Sequence, residues 1–221
     1  VVDAEAGGYW ESPNLRARVA KLYKDRYGVV IDPERVIMTA GASPALVVAL
    51  NMRFAPGDRI LTAEAEYAAN YVAFLQVARR TGAVVEVVPS DATGELDLAA
   101  LERMIDGRVK LIAVTWVPTN GGLANPAAAI GRIARAHGIP YLLDACQAVG
   151  QMPVDVRALG CDMLSATGRK FLRGPRGTGF LYVRQGLLER LEPVMIDHFA
   201  APWVSRGECR LRADARRFET W

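Results

Sequence analysis

A single lysine, Lys170, lies in a glycine- and arginine-rich stretch between two apolar runs, SATGRKFLRGPRGTGFLYV (residues 165–183). A lysine amine held near other positive charge favours Schiff-base chemistry. The same composition suits a phosphate loop or a nucleic-acid patch, and most lysines are solvated surface groups. Taken by itself, the stretch leaves these alternatives open.

Asp144 ends another apolar run, YLLDA (141–145), and Gln147 follows three residues later. A carboxylate at the end of a buried strand is poorly solvated and needs a cationic partner. It could cap the next helix, or it could be the counter-ion of a protonated ring nitrogen or bind a ligand hydroxyl. Gln147 could reach the same site.

The segment Gly41-Ala42-Ser43-Pro44 is typical of a helix start, with Ser43 as the cap and Pro44 as the first residue. The free amides and the dipole of a helix start attract anions, and Gly41 would let a ligand approach the backbone. A plainly capped helix is the alternative. The apolar stretch that follows, ALVVALNMRFA, predicts a buried helix and makes the two interpretations about equally favoured.

Two nucleotide-binding patterns are absent from the sequence. TAGASPA (39–45) does not fit the G-x-G-x-x-G fingerprint of dinucleotide-binding folds. The P-loop pattern fails because Lys170 is followed by Phe171. The sequence therefore gives little support to a nucleotide-binding dehydrogenase or NTPase.

Composition excludes several other classes. The chain has 221 residues, 51% hydrophobic and 23% charged, with a net charge of +3, as expected for one large globular domain. The basic residues are interspersed with acidic ones, so we expect no nucleic-acid partner. No apolar run is long enough to cross a membrane, and we expect no membrane to be bound. Three widely spaced cysteines and two histidines fit neither a disulfide framework nor a metal site, which favours a reduced, cytoplasmic protein.

Short apolar runs alternate with capped helical patterns, which predicts an α/β three-layer sandwich around a mostly parallel seven-stranded sheet. One helix is predicted with Ser12 as cap, Pro13 in the first turn and Gly28 at its end. A second opens at Asp97 and is followed by Gly107, and a third opens at Asn125 and Pro126. In such sheets ligands bind beyond the carboxyl ends of the strands, so the strand-to-helix junctions should converge on one edge. The seven predicted strands are VIM (36–38), RILTA (59–63), VVEVV (84–88), LIAVTW (111–116), YLLDA (141–145), DMLSA (162–166) and GFLYV (179–183).

Taken together, the junctions resemble the pyridoxal-phosphate (PLP) enzymes of the class V aminotransferase family, which includes cysteine desulfurases and isopenicillin-N-epimerase-like proteins. The carrying residues are YLLDACQAVGQMPVDVRALGCDMLSATGRKFLRGPRGTGFLYV. They contain an acidic strand end, a glutamine three residues on, and a lysine after a Thr-Gly-Arg stretch, 26 residues beyond Asp144. The resemblance covers nearly the whole chain and is strongest from Thr115 to Tyr182.

The resemblance implies specific roles for the matching positions. Lys170 would hold PLP as a Schiff base and serve as the base at Cα, and Asp144 would keep the pyridine nitrogen protonated. Gln147 and Thr119 would lie near the ring hydroxyl, and Tyr67 would stack on the ring where desulfurases have a histidine, since Ala68 takes that position. The remaining matching positions, all near the cofactor phosphate, are Ala42, Ser43, Thr167 and Arg169.

The resemblance also implies a whole-protein picture. Residues 1–221 would form the PLP-binding large domain of a homodimer that acts on an amino acid by transamination, C–S cleavage or epimerisation. The chain begins at Val1 and stops at RRFETW, so we expect it to be truncated at both ends and to lack the small C-terminal domain. That domain would carry the arginine for the substrate carboxylate and any sulfur-accepting cysteine. The alternative is a non-catalytic, truncated PLP-fold domain that acts as a binding module.

Overall fold

The computed structural model describes residues 13–33, 36–39, 52–175, 177–193 and 196–218. Short 3-10 helices span Gln185–Arg190 and Ala215–Phe218. The helices within these ranges are α1 (Pro13–Tyr27), α2 (Ala68–Thr81), α3 (Leu98–Met104), α4 (Ala127–Ala136) and α5 (Val156–Leu159). The strands there are β1 (Val36–Thr39), β2 (Arg59–Ala63), β3 (Val84–Val88), β4 (Val109–Thr115), β5 (Tyr141–Asp144), β6 (Met163–Thr167), β7 (Gly179–Val183), β8 (Trp203–Ser205) and β9 (Glu208–Cys209).

Strands β1 to β7 form one sheet in the order β1-β7-β6-β5-β4-β2-β3, which confirms the predicted seven-stranded, mostly parallel sheet. β2, β3, β4, β5 and β6 pair in parallel, whereas β7 pairs antiparallel with both β6 and β1. The predicted strand positions are confirmed, with shifts of one or two residues at some ends. β4 starts two residues earlier than predicted because Val109 pairs with Arg59 of β2, and the register shifts at Lys110 before Leu111 pairs with Ile60.

Helices cover both faces of the sheet, which confirms the three layers. On one face Leu101 of α3, Ile130 of α4 and Leu159 of α5 pack in a core with Leu143 and Leu164 of the sheet. The opposite face forms a second core from Phe74 of α2, the 3-10 helices and strand residues. Its strand residues are Ile60, Leu111, Ala113, Leu142, Met163, Leu181 and Val183.

The described helix ends follow the predictions with two exceptions, and the predicted cap Ser12 lies outside the described residues. Asp97 accepts hydrogen bonds from the amides of Ala99 and Ala100, as a cap should, and Gly28 follows α1 with a positive φ of 69°. α3 stops at Met104, before Gly107, because Ile105 is extended. Asn125 is buried and does not cap α4: its side chain accepts from the amide of Leu96 and donates to the carbonyl of Thr115.

Four predicted ligand-edge junctions converge as expected. β6, β5, β4 and β2 are consecutive and parallel, so residues 63–70, 116–122, 144–148 and 166–170 follow their carboxyl ends at one edge of the sheet. The fifth junction, 39–45, lies beyond Thr39 and outside the described residues. Within the described ranges, none of the helices has the length and apolar character that spanning a bilayer requires.

Candidate active site

The face of the sheet that packs against α2 is apolar along most of each strand and polar at the edge where the junctions converge. Thr115, Asp144 and Ser165 are paired in register across β4, β5 and β6, one alternation beyond the buried Ala113, Leu142 and Met163. Because side chains alternate along a strand, these three polar residues lie side by side on one face. All three are buried. The Ser165 hydroxyl finds no hydrogen-bond partner among the described residues.

Asp144 is held by two neutral donors. Its Oδ2 accepts from Nδ2 of Asn70 at 2.7 Å, and its Oδ1 accepts from the backbone amide of Cys146 at 2.9 Å. The side chain is buried, with 5% of the residue exposed. No cationic side chain among the described residues forms an ion pair with it. A buried carboxylate with fixed donors and no counter-ion can accept a cationic ligand group.

Asn70 and Glu66, which the sequence interpretation did not single out, complete the surroundings of Asp144. Nδ2 of Asn70 also donates to Oε1 of Glu66 at 2.8 Å. Oε2 of Glu66 accepts from the amide of Thr115 at 2.9 Å and from the hydroxyl of Thr62 at 3.2 Å. Oε1 accepts from the Thr115 hydroxyl and from the amide of Tyr67. Burial raises the pKa of Glu66 above its ordinary value, against the opposing effect of the bonds from Thr115 and Asn70.

Lys170 follows the end of β6, and its ammonium Nζ lies 5.7 Å from the centroid of the Tyr67 ring, a cation–π distance. Tyr67 is 39% exposed and precedes the first turn of α2. Tyr67, the residue expected to stack on the cofactor ring, lies beside Lys170, whereas Ala68 is an exposed residue in the first turn of α2.

Glycines and short hydrogen bonds shape the loop that carries Lys170. The amide of Gly168 donates to the carbonyl of Thr178 at 2.8 Å, and the amide of Gly174 donates to the carbonyl of Gly168 at 2.7 Å. A Cβ at Gly168 would lie 2.2 Å from Oγ1 of Thr178, so no larger residue fits there without a shift. Arg173, whose amide donates to the carbonyl of Lys170, has a left-handed φ of 56°.

The other predicted cofactor residues are placed as follows. Thr167 is buried at the end of β6, and its hydroxyl donates to the carbonyl of Thr178 at 3.4 Å. Gln147 is half-buried in the turn after Asp144, and Arg169 and Thr119 are exposed. Ala42 and Ser43 lie outside the described residues.

The two cysteines that flank the candidate site in sequence are buried. Burial, followed by the negative charge of Asp144, raises the pKa of Cys146 far above its ordinary value. Burial likewise raises the pKa of Cys161 to about 12. Both thiols therefore stay protonated at neutral pH, and only Cys209 of the three is exposed.

Glu66 and Asn70 could have been found from their spacing. They lie four residues apart in the junction that follows the buried strand RILTA, Glu66 before the helix and Asn70 in its first turn. Two hydrogen-bonding side chains in a junction after a strand that ends at the ligand edge indicate a polar cluster at that edge.

Comparison with known proteins agrees with this geometry. Residues 13–220 match the family described as Aminotransferase class-V. A cysteine desulfurase of Yersinia pestis is 40% identical over 164 residues, which is 72% of this chain and 40% of that protein. A probable cysteine desulfurase of Methanothermobacter thermautotrophicus is 37% identical over 74% of this chain and 41% of its own length.

The fold likeness extends over almost all of the chain. The crystal structure of the cysteine desulfurase CsdA from Escherichia coli superposes with a TM-score of 0.83 and 27% identity, covering 93% of this chain and 51% of that one. The chain thus spans about 40% of the length of the curated relatives that it matches. Because the family match covers nearly all of its residues, the chain belongs to the class-V aminotransferase family.

Proposed function

We propose that residues 1–221 form the PLP-binding large domain of an enzyme that acts on an amino acid through Lys170. The observation that carries this proposal is the buried Asp144 carboxylate, which has two neutral donors and no cationic partner among the described residues. Asp144 ends β5, and Lys170 follows the neighbouring strand β6. Membership of the class-V aminotransferase family supports the assignment.

The residues present fit the cofactor. A protonated ring nitrogen would be the cationic partner that the Asp144 carboxylate lacks among the described residues. The hydroxyl of Ser165, which has no hydrogen-bond partner there, lies beside it. Tyr67 places an aromatic ring beside Lys170, where a flat ligand ring could stack. We assign Thr119 and Gln147 to the ring hydroxyl, and Thr167, Arg169, Ala42 and Ser43 to the phosphate.

When bound, PLP supplies an electron-accepting ring that stabilises negative charge at the Cα of an amino acid. Asp144 holds a proton on the ring nitrogen through its buried negative charge. Lys170 would hold the cofactor through Nζ, and the same amine would be the base for the proton at Cα of the substrate. The tight loop around Gly168 and Gly174 limits where Nζ can lie.

For the reaction we propose cleavage of a C–S bond in a sulfur-containing amino acid. The support is that relatives 37–40% identical to this chain are named as cysteine desulfurases. Cys146 and Cys161 are buried and protonated, so neither is assigned as the residue that takes up sulfur. Incubation with cysteine, PLP and a thiol reductant that takes up the sulfur should release sulfide, together with alanine or, if sulfur leaves by β-elimination, with pyruvate and ammonia. A keto acid formed without sulfide, or inverted cysteine, would assign transamination or epimerisation instead.

We also propose a cytoplasmic homodimer. Apolar side chains are exposed next to the site, namely Phe171 in the lysine loop and Val72 and Leu75 on α2, and a second copy would cover them. All three cysteines are free, which suits a reducing compartment. Light scattering after size-exclusion chromatography measures the mass, and a monomer at micromolar concentration would contradict the dimer.

One experiment tests the cofactor assignment. The protein is purified with PLP, its visible spectrum is recorded, and it is reduced with borohydride and digested for mass spectrometry. We expect a visible band that reduction abolishes and a pyridoxyl group on the peptide that contains Lys170. Lys170→Ala should show neither. An unmodified Lys170 in the wild type would contradict the proposal and favour a non-catalytic binding module.

A further inference from the structure

We infer that Glu66 and Asn70 are positioning residues, which together fix the Asp144 carboxylate and the Tyr67 backbone in one buried network. The inference rests on the proposed function, since it concerns the residues that would face the cofactor ring. Neither residue is among the cofactor contacts that the family resemblance implies.

The first step is the double use of one amide nitrogen. Nδ2 of Asn70 lies 2.7 Å from Oδ2 of Asp144 and 2.8 Å from Oε1 of Glu66. A primary amide nitrogen carries two hydrogens, so these two bonds use both of them. The contact with Oγ1 of Thr115, at 3.4 Å, is longer and weaker. Asn70 therefore links two carboxylates directly, and a shift of either one moves the other.

The second step is the anchoring of Glu66 to the sheet. Its carboxylate accepts from the amide and the hydroxyl of Thr115 at the end of β4, and from the hydroxyl of Thr62 in β2. Both strands are central and fully buried at these positions. Bonds between a carboxylate and several fixed donors leave the side chain little freedom. Glu66 thus transfers the rigidity of β2 and β4 through Asn70 to Asp144.

The third step connects the network with Tyr67. Oε1 of Glu66, the atom that accepts from Asn70, also accepts from the backbone amide of Tyr67 at 2.8 Å. Asn70 itself donates from its backbone to the carbonyl of Tyr67 at 2.9 Å. One oxygen therefore holds the Tyr67 backbone beside Lys170 and, through Asn70, the Asp144 carboxylate. The two residues proposed to contact the cofactor ring are thus held by the same buried carboxylate.

The test uses three single variants and one double variant of the protein. Asn70→Ala removes both amide bonds, and Glu66→Gln keeps the size but replaces one accepting oxygen with a donor. Gln76→Ala is the matched control, because Gln76 is an exposed amide side chain on the same helix. The dissociation constant of PLP is measured by titrating the cofactor-free protein, and the visible spectrum of the bound cofactor is recorded against pH.

We expect Asn70→Ala to weaken PLP binding by roughly ten-fold to a hundred-fold, the cost of one lost hydrogen bond to a charged group. Its spectrum should change with pH in a range where that of the wild type is constant. Glu66→Gln should shift both readouts in the same direction, and Gln76→Ala should shift neither. Because the two residues act through one amide, the double variant should bind about as weakly as Asn70→Ala alone.

Three results would overturn the inference. One is a wild-type dissociation constant and spectrum in Asn70→Ala; another is strictly additive losses in the double variant. The third is an Asn70→Ala protein that is unfolded, as judged by circular dichroism, together with a folded Glu66→Gln protein that binds PLP like the wild type. Absence of a pyridoxyl group at Lys170 in the reduced wild type would overturn the proposed function and this inference with it. Any of the three results above, with the wild type modified at Lys170, would overturn this inference alone.

Discussion

Gly150 packs directly against the backbone of Phe171, the residue that follows Lys170. A Cβ at Gly150 would lie 2.6 Å from the carbonyl carbon and 2.7 Å from the carbonyl oxygen of Phe171, and 2.8 Å from the amide of Leu172. Gly150 comes six residues after Asp144, so this contact joins the turn after β5 to the loop after β6. The relative position of Asp144 and Lys170 therefore depends on a residue without a side chain.

Gly150→Ala should displace the lysine loop. The position combines a φ of +98° with a clash against backbone atoms, which cannot rotate away. We expect lower stability and a loss of borohydride-trapped PLP at Lys170 that exceeds the loss of fold measured by circular dichroism. Gly138→Ala is the matched control, because Gly138 has a φ of +65° but no atom within 4 Å of its added Cβ. Equal amounts of PLP trapped at Lys170 in both variants would show that the contact between Gly150 and Phe171 does not position the lysine loop.

Arg59 should stabilise the end of the sheet that lies opposite the candidate site, where β2 begins. Its guanidinium pairs with Glu86 and with Asp106 at 3.1 Å, and donates to the carbonyl of Met104 at 2.7 Å. Because this side chain is only 11% exposed, we expect Arg59→Ala to lower the free energy of unfolding by about 2 kcal/mol. Urea denaturation measures the change, and PLP trapping should be unaffected.

The control for Arg59 is Arg108→Ala. Arg108 pairs with the same carboxylate of Asp106 at 3.3 Å, but its side chain is 68% exposed. Solvent screens such a pair, so the substitution should change stability little. A loss as large as that of Arg59→Ala would mean that the burial of Arg59 does not decide its contribution.

The three thiols should differ in reactivity. Cys209 is exposed in β9, whereas Cys146 and Cys161 are buried with raised pKa values. Ellman's reagent at neutral pH should therefore modify one thiol rapidly in the folded protein, and none in Cys209→Ser. The remaining thiols should react only after denaturant is added. Rapid modification of Cys209→Ser would show that one of the buried thiols is accessible.

The stability of the cofactor-free protein should carry a pH signature of Glu66. Burial raises its pKa above the ordinary value of 4.5, so between these two pKa values the folded state holds a proton that the unfolded state has lost. The stability that protonated Glu66 contributes is fully present below about pH 4.5 and is lost as the pH rises through the folded-state pKa. A glutamine at this position does not titrate, so Glu66→Gln should lower the free energy of unfolding less at neutral pH than below pH 4.5.

Denaturant titrations of both proteins at several pH values check this sign. A penalty for Glu66→Gln that grows with rising pH would show that the hydrogen bonds from Thr115 and Asn70 outweigh burial.

The sequence was sufficient for the strands and for the placement of Asp144 and the Lys170 loop at one edge of the sheet, because each follows an apolar run that ends at that edge. It was not sufficient for the link between Glu66 and Thr115, since that link depends on strand order. β3 follows β2 in the chain but takes the edge of the sheet, so β2 lies beside β4. Only this arrangement brings the Glu66 carboxylate to Thr115 and Asn70 to Asp144. The side-chain contacts of Asn125 could not be predicted for a similar reason, because its partner Leu96 lies 29 residues away in the sequence.

The antiparallel strand β7 has a consequence for how the chain assembles. β1, residues Val36–Thr39, pairs with β7, residues Gly179–Val183, which is synthesised more than a hundred residues later. Such long-range pairing slows folding, because the intervening chain must be ordered before the contact forms. On the ribosome, β1 has to wait until β7 has emerged, and β7 comes directly after the lysine loop. The ladder between β1 and β7 therefore forms only after Lys170 has been synthesised, so a chain whose β1 is paired already contains the lysine loop.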